Sequence, residues 1–179
     1  MSLLQEFSTP RLVFRPMAEA DAAVFCDLYC DAQTMRFIGP PLSRERAERG
    51  FRKALQLMRR PAADQAFFTL SDRESAAAVG LGSIQHLDLQ GRRAEIGMII
   101  CTQYRNQGFA REGLAGLMRF AFARLPIDEL WARVHADHTV VEKLVLSVGL
   151  SIGSTTDAYD SDPVMRVWSA QRDSWVMHE

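Results

Sequence analysis

The sequence predicts one domain of mixed α/β (α+β) class over residues 1–179, built on a mostly antiparallel sheet. Three consecutive strand-like segments are separated only by short polar turns, and short turns favour antiparallel pairing. A long amphipathic helix follows and leads into another strand, and such a helical crossover makes two strands parallel. No repeat, low-complexity tract or Pro/Ser-rich linker divides the chain, so we expect a single domain.

The N-terminal third is predicted to contain one strand and two helices. Arg11–Arg15 alternates charged and apolar residues, as a short strand does. Ala18–Asp31 carries apolar residues at helical spacing. Ser43 suits the N-cap of a second helix, because its hydroxyl oxygen can accept a hydrogen bond from a free N–H of the first turn. The apolar face of that helix contains Phe51, Leu55 and Met58.

The middle of the chain is predicted to form the centre of the sheet and the longest helix. The three strands are expected at Ala66–Leu70, Ala77–Leu87 and Ala94–Ile100. The helix is expected at Gly108–Leu125, where six apolar residues fall on one stripe. Pro126 then ends it.

The C-terminal quarter is predicted to add three strands and one helix. Glu129–His135 follows the long helix and is therefore the strand expected to run parallel to its neighbour. Thr139–Glu142 fits the capping-box pattern and predicts a short helix that stops at Gly149. Two last strands are expected at Leu150–Thr155 and Val164–Ser169.

Charge and cysteine usage exclude several classes of protein. The formal net charge is −1, so no overall field attracts nucleic acid or an anionic membrane. No run of about 18 apolar residues occurs, and the N-terminus lacks an apolar signal core. Three cysteines are too few and too unevenly spaced for a disulfide framework or a clustered metal site. We therefore expect a cytoplasmic protein, monomeric or homodimeric, that binds no metal.

The stretch RNQGFAREG, Arg105–Gly113, predicts an anion site at the start of the longest helix. The helix opens without a Ser, Thr or Asp cap, and an uncapped start offers unpaired N–H groups and a partial positive charge. Gly108 and Ala110 keep side-chain bulk away, while Arg105 and Arg111 add positive charge. The alternative is that Gly108 only permits a tight turn and that water satisfies the amides.

Other phosphate-binding patterns fit the sequence poorly. The Gly-x-x-x-x-Gly-Lys-Ser/Thr pattern is absent. Gly80–Ser83 begins like a dinucleotide-binding fingerprint but lacks the third glycine and the following helix.

RNQGFA resembles the Gln/Arg-x-x-Gly-x-Gly/Ala signature of the GNAT superfamily, the acetyl-CoA-dependent N-acyltransferases. Further segments are similar, in the same order, to the RimJ/RimL branch, whose named members acetylate the N-termini of ribosomal proteins. These segments are TPRLVFRPM, MRFIG, AEIGMII, LWARVHADH, LVLSVGL and RDSW, within residues 9–175.

The resemblance implies the GNAT fold, with helices on both sheet faces and a parallel strand pair, Ala94–Ile100 and Leu130–His135, that splays apart. Acetyl-CoA would lie in the gap as co-substrate, with its pyrophosphate on the amides at the helix start. The implied cofactor-binding residues are Met98, Ile99, Ile100, Arg105, Asn106, Gln107, Gly108, Phe109, Ala110, Arg111 and His138.

Amine attack on a thioester requires a neutral amine, and Glu95 is our candidate for the general base that removes its proton. The alternative for Glu95 is a structural ion pair with Arg92 or Arg93. The branch usually carries Asn and, three residues later, a proton-donating Ser, where this chain has His138 and Val141. His138 could therefore contact the cofactor and reprotonate the thiolate, or could simply be a polar residue preceding a helix.

The expected function is acetyl transfer to a primary amine, either a protein N-terminal α-amine or a small amine. Asp157, Asp160 and Asp162 could attract a cationic acceptor or form a solvated turn. One alternative is a GNAT-like module that holds acyl-CoA without transfer. A remote alternative is a serine hydrolase, because Gly149–Gly153 matches Gly-x-Ser-x-Gly, although a helix precedes the motif and a strand follows it.

Overall fold

The computed structural model describes residues 3–153 and 164–175. The strands are β1 (Phe7–Ser8), β2 (Leu12–Pro16), β3 (Ala66–Asp72), β4 (Ala78–Asp88), β5 (Arg93–Ile100), β6 (Glu129–His135), β7 (Ser151–Ile152) and β8 (Met165–Gln171). The helices are α1 (Ala22–Cys30), α2 (Ala32–Met35), α3 (Arg44–Met58), α4 (Phe109–Arg124) and α5 (Thr139–Ser147). Short 3₁₀ turns lie at Glu19–Asp21 and Thr102–Tyr104.

The strands form one eight-stranded sheet in the order β1-β2-β3-β4-β5-β6-β8-β7. Every neighbouring pair is antiparallel except β5 and β6, which the α4 crossover makes parallel. The predicted fold class, a mixed and mostly antiparallel sheet, is confirmed.

The parallel pair β5 and β6 separates after three paired positions. Arg93, Ala94 and Glu95 pair with Glu129, Leu130 and Trp131, and β5 has no partner on this side beyond that point. Gly97–Ile99 is half-buried, whereas the preceding three residues of β5 are buried. The predicted splay is therefore confirmed, and it leaves a gap that is closed at Glu95 and opens towards Ile100.

Helices cover both faces of the sheet because side chains of each strand alternate between the faces. On β5, Ile96 and Ile100 belong to the main core with α4. Ile99 instead packs against the second core, which contains α1 and α3. The gap between β5 and β6 thus lies between two packed layers, with α4 on one side and the α1–α3 layer on the other.

Helix starts and ends follow the predictions in part. Ser43 caps α3, its Oγ accepting a bond of 3.3 Å from the Arg46 amide. Gly149 lies just beyond α5 with a left-handed φ of 87°. The predicted capping box at Thr139 is wrong: His138 is the N-cap and makes no side-chain cap bond. Glu142 instead pairs with Arg166 of β8.

Elements too short to carry a periodic pattern were not predicted. These are β1 and α2, of two and four residues. The predicted helix Ala18–Asp31 is a 3₁₀ turn followed by α1. Part of the strand predicted at Leu150–Thr155, and the acidic residues Asp157, Asp160 and Asp162, lie outside the described residues. No helix in the described ranges is long and apolar enough to cross a membrane.

Candidate active site

The chain leaves β5 at the open end of the gap and, after a 3₁₀ turn and a short loop, begins α4. The first backbone N–H groups of α4 have no side-chain cap from the N-cap residue. Gly108 is the N-cap, with a left-handed φ of 82°, and as a glycine it has no side chain with which to cap the helix. The first helical bond runs from the Glu112 amide to the Gly108 carbonyl at 3.1 Å. The amides of Phe109–Arg111 therefore precede the intrahelical hydrogen-bond ladder, as in any uncapped helix start.

The N-terminal segment braces this helix start through Arg11. Its Nη1 donates to the Gln107 carbonyl at 3.0 Å, and its Nε donates to Glu112 Oε2 at 2.6 Å. The guanidinium lies 4.6 Å from the centroid of the Phe109 ring. A Cβ added at Gly108 would come within 3.1 Å of Arg11 Nη2. Arg11 thus brings positive charge to the loop and leaves little room for a larger residue at position 108.

A pocket of about 390 Å³ lies beside the same helix start. It is lined by Thr9–Arg11, by the N-cap residue Gly108 and by one face of α4 that includes Arg111 and Arg119. Burial alone would raise the pKa of Glu112 in this wall, but hydrogen bonds from Thr9 and Arg11 outweigh it and lower the pKa below its usual value. Glu112 is therefore held as a charged partner of Arg11.

Arg105 is used to tie the loop to the end of β5. Its Nε donates to the Ile100 carbonyl at 3.1 Å, and its Nη2 donates to Thr34 Oγ1 at 2.7 Å. Its own amide donates to the Thr102 carbonyl at 3.3 Å. The side chain therefore connects β5, the loop and α2. Asn106 also takes a left-handed φ of 61°, so the chain turns sharply before Gly108.

The closed end of the gap contains a buried carboxylate with two side-chain partners. Glu95 Oε2 lies 2.6 Å from His86 Nδ1. Arg133 Nε donates to Oε1 at 3.1 Å, and Arg133 Nη2 donates to Oε2 at 3.4 Å. The side chain of Glu95 is 10% exposed, against 39% for His86. The ring of His86 lies nearly parallel to that of Trp131, with centroids 6.1 Å apart.

The alternative ion pairs considered for Glu95 are wrong. Arg92 pairs with Asp128, and Arg93 lies 3.9 Å from Asp88. Arg133 and His86 were not among the predicted site residues. Strand alternation could have placed Arg133 on the same face as Trp131, and hence beside Glu95. No local signal places His86 there, because its contact depends on a bulge in β4.

His138 lies where α5 begins, close to two other side chains. The centroids of the His138 and Phe37 rings are 4.3 Å apart, and the centroids of the Phe37 and His135 rings are 5.4 Å apart. Burial lowers the pKa of His138 from its usual value of 6.5, and the positive charges of His135, Arg105 and Arg36 lower it further. His138 is thus held neutral at pH 7, in a region of positive potential.

The acetyltransferase (GNAT) domain family matches residues 11–151 of the chain. The chain belongs to this family. An uncharacterised N-acetyltransferase of Bacillus licheniformis is 25% identical over 147 residues, which cover 81% of this chain and 82% of that protein. The predicted family and the predicted enzyme class, an N-acetyltransferase, are confirmed.

Solved structures share the fold at low sequence identity. A GNAT-family acetyltransferase from Bacillus anthracis has a TM-score of 0.77 at 16% identity, covering 94% of this chain and 99% of that one. Spermidine N-acetyltransferase from Vibrio cholerae, with CoA and spermine, has a TM-score of 0.75 at 16% identity, with 92% and 98% covered. RimL, a ribosomal-protein α-N-acetyltransferase in complex with coenzyme A, has a TM-score of 0.77 at 13% identity, with 93% and 98% covered.

The serine hydrolase alternative does not fit the geometry. Ser151 lies on the short strand β7 and follows α5, whereas a nucleophile elbow leads from a strand into a helix. Gly149 serves to end α5. Among the described residues, no three His, Cys, Asp or Glu side chains are grouped so that they could hold a metal ion.

Proposed function

We propose that this GNAT protein transfers the acetyl group of acetyl-CoA to the α-amine of a peptide or protein, within a single domain and in the gap between β5 and β6. One observation carries the proposal. The parallel strands separate after Glu95 and Trp131, and the open end of their gap leads to the uncapped start of α4 at Gly108. A long, thin ligand with an anionic end matches a gap of this kind.

The cofactor is proposed to bind along β5 and on the loop before α4. The backbone of Met98, Ile99 and Ile100, on the edge of β5 from which β6 has separated, would hydrogen-bond the pantetheine amides, with the Ile100 carbonyl already taken by Arg105. The amides of Phe109, Ala110 and Arg111 would bind the pyrophosphate, because the helix N-terminus also favours negative charge there. Arg105 would act indirectly, by holding the Ile100 carbonyl and the loop in place.

Glu95 is proposed to take part in removing the proton of the acceptor ammonium at the closed end of the gap. A primary ammonium has a pKa of about 10 and must lose a proton before it can attack. Glu95 is the carboxylate hydrogen-bonded at the last paired position of the two strands, opposite Trp131. A backbone N–H of β5 would stabilise the oxyanion of the tetrahedral intermediate. His138 is proposed to contact the cofactor at the start of α5. Because it is neutral at pH 7, it would donate a hydrogen bond to the departing thiolate, which takes its proton from solvent.

The charge around the gap favours a singly charged acceptor over a polyamine. Burial is the main cause of the lowered pKa of His138, and the nearby positive charges of His135, Arg105 and Arg36 add to it. Glu95 is already bonded to Arg133. Cations near His138 and a carboxylate that is already paired suit a peptide N-terminus, which brings one positive charge and a polar backbone, better than a polycation.

The test is thiol release from acetyl-CoA with two acceptors, spermidine and an alanine-initiated peptide with a free N-terminus. We expect the peptide to give the higher kcat/KM, with mass spectrometry locating one acetyl group on its α-amine. A higher value with spermidine would overturn the acceptor assignment and leave the transferase intact. Acetyl-CoA binding without transfer to either amine would favour the non-catalytic acyl-CoA-binding module.

A further inference from the structure

Two side chains beside Glu95 reach solvent, those of Arg133 and His86, and a bulge in β4 brings His86 there. Gln85 pairs with Glu95 and Asp88 pairs with Arg93. Between these two pairs β4 has two residues and β5 has one, so β4 contains a one-residue bulge. In an unbroken strand His86 would point to the face opposite Gln85 and Glu95. The extra residue turns it back to the face of Glu95.

His86 has an uncommon backbone conformation. Its φ is 49°, in the left-handed region that few non-glycine residues occupy, although His, like Asn and Asp, is found there more often than most. A residue in this region is kept there by the surrounding structure, and such positions are concentrated at functional sites. Here the bond of 2.6 Å to Glu95 and the parallel packing on Trp131 hold the ring in place.

Glu95 itself is poorly placed to meet an acceptor. Both of its carboxylate oxygens are engaged, Oε1 by Arg133 and Oε2 by His86 and Arg133. Its side chain is also nearly enclosed, whereas more than a third of the His86 side chain is exposed. A carboxylate oxygen can only accept the hydrogen of this contact, so His86 Nδ1 carries it and Nε2 is the nitrogen with a lone pair.

We propose that His86 is the catalytic base and that Glu95 is a positioning residue that fixes the His86 tautomer; this rests on the proposed acetyl transfer. Nε2 takes one proton from the acceptor ammonium, and the neutral amine forms the N–C bond to the thioester carbonyl carbon. A second proton leaves nitrogen as the tetrahedral intermediate collapses and the C–S bond breaks. Sulfur departs with the electron pair; one proton ends on sulfur and the other passes to solvent.

The experiment is chemical rescue of a His86→Gly variant, assayed with acetyl-CoA and the faster of the two acceptors named above. Glycine accepts the left-handed φ without strain, so the fold is preserved while the ring is removed. We expect kcat to fall by about 10³-fold or more, as for loss of a general base, with the KM for acetyl-CoA changed less than about threefold. Imidazole added to the assay should restore activity in a saturable way.

Two comparisons make the result specific. Arg92→Gly is the matched control, because Arg92 has a similar left-handed φ of 52° but pairs with Asp128 away from this cluster; it should keep the wild-type rate and ignore imidazole. 1-Methylimidazole has no N–H to give to Glu95, so it should rescue His86→Gly much less than imidazole does.

The outcomes separate this inference from the proposed function. A His86→Gly rate close to that of an active wild type, or a loss that imidazole does not restore, overturns the role of His86 alone. Equal rescue by the two imidazoles overturns the positioning role of Glu95. Failure of the wild-type enzyme to acetylate any amine overturns the proposed function and this inference together.

Discussion

The two ends of the gap between β5 and β6 are formed by different groups, side chains at one end and backbone at the other. At the closed end, side chains form the site. Glu95 is hydrogen-bonded by Arg133 and His86, and the ring of His86 lies nearly parallel to that of Trp131. At the open end the backbone forms it, with Gly108 leaving the start of α4 uncapped. Arg11 and Arg105 there bond to carbonyl groups and stabilise the loop.

The two ends should therefore contribute differently to kcat and to the affinity for acetyl-CoA. The side chains proposed to transfer protons are at the closed end, so changes there should lower kcat while acetyl-CoA still binds. Backbone amides that favour anions are at the open end, so changes there should weaken acetyl-CoA binding. Kinetics that measure kcat and KM separately can therefore test this assignment of roles to the two ends.

The largest effect is expected for Glu95→Gln. The amide could donate to His86 Nδ1, which would favour the wrong tautomer of the ring, so we expect kcat to fall by about 10³-fold. Calorimetric titration with acetyl-CoA should give an unchanged Kd. Glu142→Gln is the control, since Glu142 also pairs with an arginine, Arg166, but outside this cluster. Equal losses in the two variants would contradict the assignment.

A smaller effect, on affinity, is expected at Gly108. Aspartate and asparagine both tolerate a left-handed φ, so Gly108→Asp and Gly108→Asn share the backbone and differ in charge. We expect the Kd for acetyl-CoA to rise about 100-fold in the Asp variant, or about 2.7 kcal/mol, and about tenfold in the Asn variant. If titration finds the two variants equal, the loop does not bind an anion.

The smallest effect is on stability, at His138. Its folded-state pKa is lowered below the usual 6.5, chiefly by burial. The unfolded chain therefore binds the proton first as pH falls through about 6.5, and stability decreases there. Above that pH both states are neutral and His138 contributes no pH dependence. Urea unfolding at about pH 7.5 and 5.5 should show a smaller loss for His138→Asn than for wild type. An equal or larger loss in the variant would contradict the prediction.

Local patterns in the sequence predicted most of the fold. The strand Glu129–His135 was predicted with the observed bounds, because its flanking helix and short length limit the choice. The Ser43 cap was predicted because capping involves residues three apart. The short segments β1 and α2 were missed because two or four residues carry no period.

The site was less predictable because its contacts are distant in sequence. Arg133 and Glu95 are 38 positions apart, and their meeting depends on the register of β5 with β6. His86 depends on one extra residue in β4, which reverses the face that a simple alternation assigns. Gly108 was found because its role lies in its own backbone, and the surrounding motif is contiguous.

We propose that acetyl-CoA lies along β5 with its pyrophosphate on the start of α4. Amide hydrogen exchange followed by NMR, with and without saturating acetyl-CoA, would detect the bound pyrophosphate at the backbone groups themselves. We expect exchange at Phe109 and Ala110 to slow by about tenfold or more, while exchange at Arg46, at the capped start of α3, is unchanged. Unchanged exchange at Phe109 and Ala110 in the saturated protein would contradict the claim.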